Sequence, residues 1–115
     1  MFTNQQPCHT HDQTVFVKLS DDRAALLVEG SVNFKNVVRL RQAGKELLAQ
    51  QTTAVVAVDL AKVKNSDNAG LVLLIAWMGD AKHVKKNLVF QHVPDFLQRM
   101  AQVFGLQSIL FQQTG

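Results

Sequence analysis

The sequence predicts an α/β domain: a small, mostly parallel sheet after an N-terminal β-hairpin, with helices packed on it. Three observations predict it. Two short apolar runs flank the polar turn "SDDR", which suggests an antiparallel hairpin. Helical and strand-like patterns alternate after that hairpin, which implies parallel pairing through right-handed crossovers. "AVVAVDL" (Ala54 to Leu60) is a nearly unbroken β-branched run, read as a strand buried on both faces.

The elements follow in order. Residues 1–13 are expected to form a flexible leader, and residues 14–115 one domain. "VFVKL" (Val15 to Leu19) and "AALLVEG" (Ala24 to Gly30) are the hairpin strands. From Phe34 to Ala49 the period becomes helical. Phe34, Val37, Val38 and Leu48 are placed on one face there, with Leu40 and Leu47 beside it. Ser31 or Asn33 is the candidate cap. The strand Ala54 to Leu60 comes next, then a polar turn, then a helix from about Ala69 to His83. "NLVFQHV" (Asn87 to Val93) is the last strand. Pro94 suits the first turn of a helix carrying Phe96, Leu97, Met100, Ala101 and Phe104, and Gly105 is placed as its C-terminal cap. "SILF" (Ser108 to Phe111) is read as a tail that packs back.

Composition narrows the function. A chain of 115 residues, 47% apolar and 18% charged, suits one domain with a core. The net charge of +3 comes from lysines and arginines spread along the chain. No aromatic-plus-arginine array accompanies them, so nucleic acid is not an expected partner. Cys8 is the only cysteine, which excludes an internal disulfide and fits a reducing compartment. The start "MFTNQQPCHTHDQT" has no apolar segment of the signal-peptide kind. No apolar run reaches the roughly 18–20 residues that span a bilayer. A cytoplasmic protein without direct membrane insertion is the expectation.

The polar knot Asn65-Ser66-Asp67-Asn68 runs directly into the apolar helix that begins near Ala69. It lies at the C-terminal end of a strand, the edge where open α/β sheets bind ligands and partners. Asp67 or Asn68 is the expected cap for the free N–H groups of that helix. Leu71, Leu74, Ile75 and Met78 are spaced i, i+3, i+4 and i+7 and are assigned to the core. Leu73, Trp77 and Val84 fall on a second stripe, with Asp80 beside it. That stripe either lies under the neighbouring helix or forms a partner surface anchored by Trp77.

Two segments resemble the STAS family (sulfate transporter and anti-sigma factor antagonist). They are "VVAVDLAKVKNSDNAGLVLLIAWMGDA" and "LVFQHVPDFLQRMAQVFGLQSIL". The family's marker is a strand ending in Asp-Leu, a short loop, then Asp-Ser/Thr-x-Gly-Leu opening a helix. Here it reads Asp59-Leu60, then Asp67-Asn68-Ala69-Gly70-Leu71. The resemblance runs from about Val15 to Phe111. "VPDFLQRMAQVFGL" is similar to the MlaB-type members. It implies a non-enzymatic, cofactor-free cytoplasmic subunit of an ABC transporter that moves phospholipid and maintains outer-membrane asymmetry. Such a subunit binds the ATPase, and through it the permease at the inner membrane. The motif turn implied as partner-binding is Ser66, Asp67, Asn68, Ala69, Gly70 and Leu71, and the second stripe adds Leu73 and Trp77. The alternative is an anti-sigma factor antagonist, in which the Ser/Thr of the motif accepts a phosphate. Asn68 holds that position here and has no hydroxyl, which argues against a phosphoswitch. A third possibility is a self-associating domain, so a homodimer of the isolated chain is allowed.

Other groupings carry less. "CHTH" joins Cys8, His9 and His11, but no second cluster at structural-zinc spacing follows, and no metal site is expected. His83 suits a helix end and His92 a strand end. Asp59 is read as capping the loop after its strand. No nucleophile is paired with a base, and no glycine-rich phosphate loop is present. Lys82, Lys85 and Lys86 form a short basic group that suits the last turn of a helix or a place near anionic lipid.

Overall fold

The computed structural model describes residues 15–21 and 25–111. The expected leader and its "CHTH" cluster therefore lie outside the described residues. The chain runs β1 (Phe16–Leu19), β2 (Ala25–Val32), α1 (Val37–Gln50), β3 (Val55–Ser66), α2 (Asn68–His83), β4 (Asn87–Gln91), α3 (Asp95–Val103) and α4 (Gln107–Leu110). The four strands form one sheet in sequential order, β1-β2-β3-β4. β1 and β2 are antiparallel, with Phe16 opposite Glu29 and Leu19 opposite Leu26. β2 with β3, and β3 with β4, are parallel. The expected hairpin and mixed sheet are both present.

One expectation about the sheet is corrected. Val56, Val58 and Leu60 of β3 are buried, whereas Val55 is exposed and Ala57 and Asp59 are only partly covered. β3 is therefore buried on one face, not two. Both crossovers step the same way across the sheet, from β2 to β3 to β4. Right-handed crossovers in one direction put α1 and α2 on the same face. The apolar run was long because the uncovered face carries alanine and valine as well.

β3 also continues past Leu60, where a loop was expected. Leu27 pairs with Asp59, but Glu29 pairs with Lys62, so β3 has one extra residue there. A second irregularity follows at Gly30 and Ser31. Gly30 has φ 109°, a conformation that only glycine adopts readily. Asp59 Oδ1 accepts from the Ala61 amide at 2.9 Å and so steadies the first irregularity. The carboxylate does hold the following backbone, as expected, but inside a bulged strand. That extension carries β3 to Ser66, directly against the start of α2.

The helices set their phases by packing. Leu40, Gly44 and Leu48 form the buried stripe of α1, while Phe34 and Val38 are 72% and 77% exposed. This corrects the expected core face, which had included both. Neither expected cap closes α1 by its own side chain at the cap position. Instead Asn33 Oδ1 accepts from the Lys35 and Asn36 amides in the turn before it. On α3, Leu97 and Ala101 are buried, while Phe104 is exposed. Pro94 sits at the N-cap position, one residue before the first turn. Gly105, at φ 70°, ends α3 as expected: Leu106 N–H bonds Ala101 C=O at 2.8 Å and Gly105 N–H bonds Gln102 C=O at 3.1 Å. The tail packs back through Leu110, and Phe111 meets Phe90 edge to face at 6.1 Å. Among the described residues no helix is long and apolar enough to cross a membrane.

Candidate docking site at the start of helix α2

β3 delivers Ser66 and Asp67 to the edge of the sheet, and Asp67 opens α2. Its Oδ1 accepts from the Ala69 amide at 2.8 Å, so Asp67, not Asn68, is the cap. The Asp67 amide donates to Val32 C=O at 3.2 Å, which ties the turn to the end of β2. Ser66 Oγ donates to Asp67 C=O at 2.7 Å. The same hydroxyl sits over Gly70 and occupies the space that a Cβ there would take. The glycine of the motif is thus explained by a close approach. Ser66 points inward, and Asn68 is left exposed at the first position of the helix.

Two apolar clefts lie beside this turn. One, of about 360 Å³, is lined by Asn68, Leu71, Val72, Ile75, Phe104 and Leu106. The other, of about 190 Å³, lies between α1 and α2 and is lined by Val37, Val38, Arg41, Val72, Leu73 and Ala76. Val72 walls both. Val72 and Ile75 are 59% and 40% exposed, and so form an apolar ridge that starts one turn after Asn68.

Three assignments on α2 are corrected here. Trp77 is fully buried and Leu73 nearly so, and neither offers a partner surface. Trp77 packs on Gly44 of α1, and its Nε1 donates to Arg41 C=O at 3.2 Å. Leu73 and Trp77 of the second stripe therefore lie under the neighbouring helix. Ile75, assigned to the core, is part of the exposed ridge. Val84 is the C-cap residue of α2 and is exposed. Of the eight expected partner-binding residues, the turn brings together Ser66, Asp67, Asn68, Ala69, Gly70 and Leu71. Asp67 and Asn68 are exposed, Ser66 is partly so, and Ala69, Gly70 and Leu71 are buried. Sequence reasoning missed Val38 and Val72. The regular stripe Leu40, Gly44, Leu48 could have found Val38, because it turns Phe34 and Val38 outward.

Asp80, beside the second stripe, is 8% exposed and is gripped by Arg41 of α1. Arg41 Nε meets Oδ2 at 3.0 Å, and its second nitrogen meets Oδ1 at 2.9 Å. The Arg41 hydrogen bonds hold the Asp80 carboxyl below the usual carboxylate range, against burial, which acts in the other direction. This two-pronged pair fixes α1 against α2, and with them the two walls of the smaller cleft. Elsewhere, His92 Nδ1 lies 3.1 Å from Asp59 Oδ1 at the ends of β4 and β3. No group of three or more metal-ligating side chains occurs among the described residues.

The family described as "Mlab, STAS domain" matches residues 15–112. The chain therefore belongs to the STAS family and is of its MlaB-like kind. Among solved structures it is similar to a chain of the Acinetobacter MlaFEDB complex in an ATP-bound conformation. That likeness has 28% identity and a TM-score of 0.71, and covers 82% of this chain and 95% of that one. It is also similar in fold to the unphosphorylated anti-sigma factor antagonist SpoIIAA. There the identity is 14%, the TM-score 0.61, and the cover 80% of this chain and 81% of the other.

Proposed function

We propose that this protein is a non-enzymatic subunit of an ABC-type phospholipid transport system that maintains outer-membrane lipid asymmetry. It docks on the ATPase subunit from the cytoplasmic side and supports its activity. One observation carries the reading. The family's motif turn is continuous with an exposed Val72–Ile75 ridge, flanked by two apolar clefts. Large exposed apolar residues grouped beside a polar rim mark a protein-binding surface. Here the rim is Asp67 and Asn68. Membership of the MlaB-like family and the likeness to a chain of an ATP-bound transporter complex support the choice of partner.

The contact surface differs from the one the sequence suggested. Val38, Val72, Ile75 and Phe104 replace Leu73 and Trp77 as its apolar contacts, and Asp67 and Asn68 supply its polar edge. Asn68 offers amide hydrogen bonds in place of a hydroxyl.

The likeness to SpoIIAA favours a second reading, an anti-sigma factor antagonist, through the fold alone. The turn disfavours it. Asn68 cannot accept a phosphate, and the Ser66 hydroxyl is turned inward over Gly70. Affinity capture of the tagged protein from its native cells, with partners identified by mass spectrometry, separates the two. An ABC ATPase with its permease is the expected result. A histidine-kinase-like anti-sigma factor in its place would overturn the transporter reading.

A further inference from the structure

A third cleft lies where β3 and β4 begin, below the last turn of α2. Its volume is about 330 Å³, and its lining includes Val55, Met78, Lys82, Lys86, Leu88 and Val89. That is at the lower end of the range for small-molecule sites, roughly 300–1,000 Å³. The wall is mainly aliphatic, and the two lysines supply the charge.

The lysines are placed rather than merely present. Lys86 Nζ donates to Thr53 C=O at 3.1 Å, which holds that ammonium at the rim and leaves two of its protons free. Lys82 lies one turn earlier. Among the described residues no carboxylate pairs with either lysine. Asp80, the acid within α2 itself, is held by Arg41. The negative end of the helix dipole accounts for lysines at a helix end. It does not account for an aliphatic cleft beneath them.

We propose that this cleft binds a single-chain anionic amphiphile. The aliphatic tail lies along Val55, Met78, Leu88 and Val89, and the carboxylate or phosphate head meets Lys82 and Lys86. Charge complementarity selects the head: two ammonium groups with no carboxylate paired to them among the described residues favour an anion and disfavour a cationic or zwitterionic head. The aliphatic wall selects the tail, because burying methylenes away from water is favourable. The site is separate from the docking ridge and does not depend on the transporter reading.

The test is a titration of the uniformly ¹⁵N-labelled full chain, followed by amide chemical shifts. The probes are decanoate, decanoyl lysophosphatidylglycerol and the uncharged decanol, each kept below its micellar concentration. Saturable shifts at Val55, Lys82, Leu88 and Val89 are expected with the two anionic probes. Affinity is expected to fall at least tenfold for decanol and for Lys82→Glu. Lys82→Gln gives the same comparison if the charge reversal lowers the melting temperature. Whichever anionic probe binds more tightly identifies the head as carboxylate or phosphate. Shifts that never saturate, shifts confined to Val72 and Ile75, or equal affinity in Lys82→Glu would overturn the proposal. So would binding to phosphatidylglycerol vesicles with no response to the monomeric probes, which would make the lysines a membrane patch.

Discussion

The indole of Trp77 fills the space over Gly44 that any larger residue would need for its Cβ. This contact joins α1 to α2 and decides which side of α2 faces outward. With Trp77 turned under α1, Val72 and Ile75 are left on the surface. The packing of one glycine on one tryptophan thus positions the exposed apolar ridge.

Gly44→Ala is therefore expected to destabilise the domain, although alanine is the better helix former by about 1 kcal/mol. Overpacking costs about 1–3 kcal/mol and occasionally more, and the overlap here is with the indole ring itself. A net loss of about 1–2 kcal/mol, or roughly 4–8 °C in melting temperature, is expected. Thermal melting monitored by circular dichroism checks it. An unchanged or raised melting temperature would mean that α1 and α2 are not locked in this way.

The grip of Arg41 on Asp80 makes stability depend on acid. The Asp80 pKa is lowered in the folded protein. Its contribution is therefore present above the unfolded-state pKa and is lost as pH falls through the folded value. Asp80→Asn is expected to melt below the parent at neutral pH. The difference should shrink as pH drops below the ordinary aspartate range. Melting curves across that range measure it, and a gap that stays constant with pH would contradict the assignment.

The end of α2 offers a stabilising change. Lys85 has φ 61°, and its amide bonds Lys82 C=O at 3.0 Å while the Lys86 amide bonds Ala81 C=O at 2.8 Å. This is the closure that α3 makes with Gly105, built here on a lysine. A left-handed non-glycine residue costs roughly 1–2 kcal/mol, partly offset by the chain entropy that glycine adds. Lys85→Gly is expected to stabilise the protein by about 0.5–1 kcal/mol. Chemical denaturation detects a shift of that size, and destabilisation would argue against the closure.

The turn itself is checked by Asp67→Ala. Loss of the cap to Ala69 is expected to cost about 1 kcal/mol. Denaturation midpoints report it. Asn68→Ala, which removes no cap, should leave stability within about 0.5 kcal/mol of the parent.

How legible this was in the sequence depended on how local each cause is. The hairpin, the parallel crossovers and the glycine closing α3 follow from turn chemistry and periodicity, and the structure carries them. The motif turn was legible because capping is a local matter: Asp67 and Ala69 are two residues apart. The outward face of α2 was not. That helix is apolar nearly all round, so spacing alone fits either Ile75 or Trp77 to the core. The choice is made by Gly44, a residue with no side chain to appear in an apolar pattern, 33 positions away. The length of β3 was hidden for a similar reason, since Lys62, Lys64 and Asn65 look like a loop until Gly30 and Asp59 accommodate two extra residues.

The central claim is that the Val72–Ile75 ridge, beside the motif turn, holds the ATPase subunit. Its most direct test is co-purification of that ATPase with the tagged protein, comparing the parent with Val72→Asp/Ile75→Asp. Trp77→Phe serves as a buried control. The account predicts at least a tenfold loss of recovered ATPase for the double variant, about 1.4 kcal/mol or more of binding, with its fold intact by circular dichroism. It predicts ATPase recovery near the parent level for Trp77→Phe. Full recovery with the double variant would contradict the account and move the docking surface elsewhere on the domain.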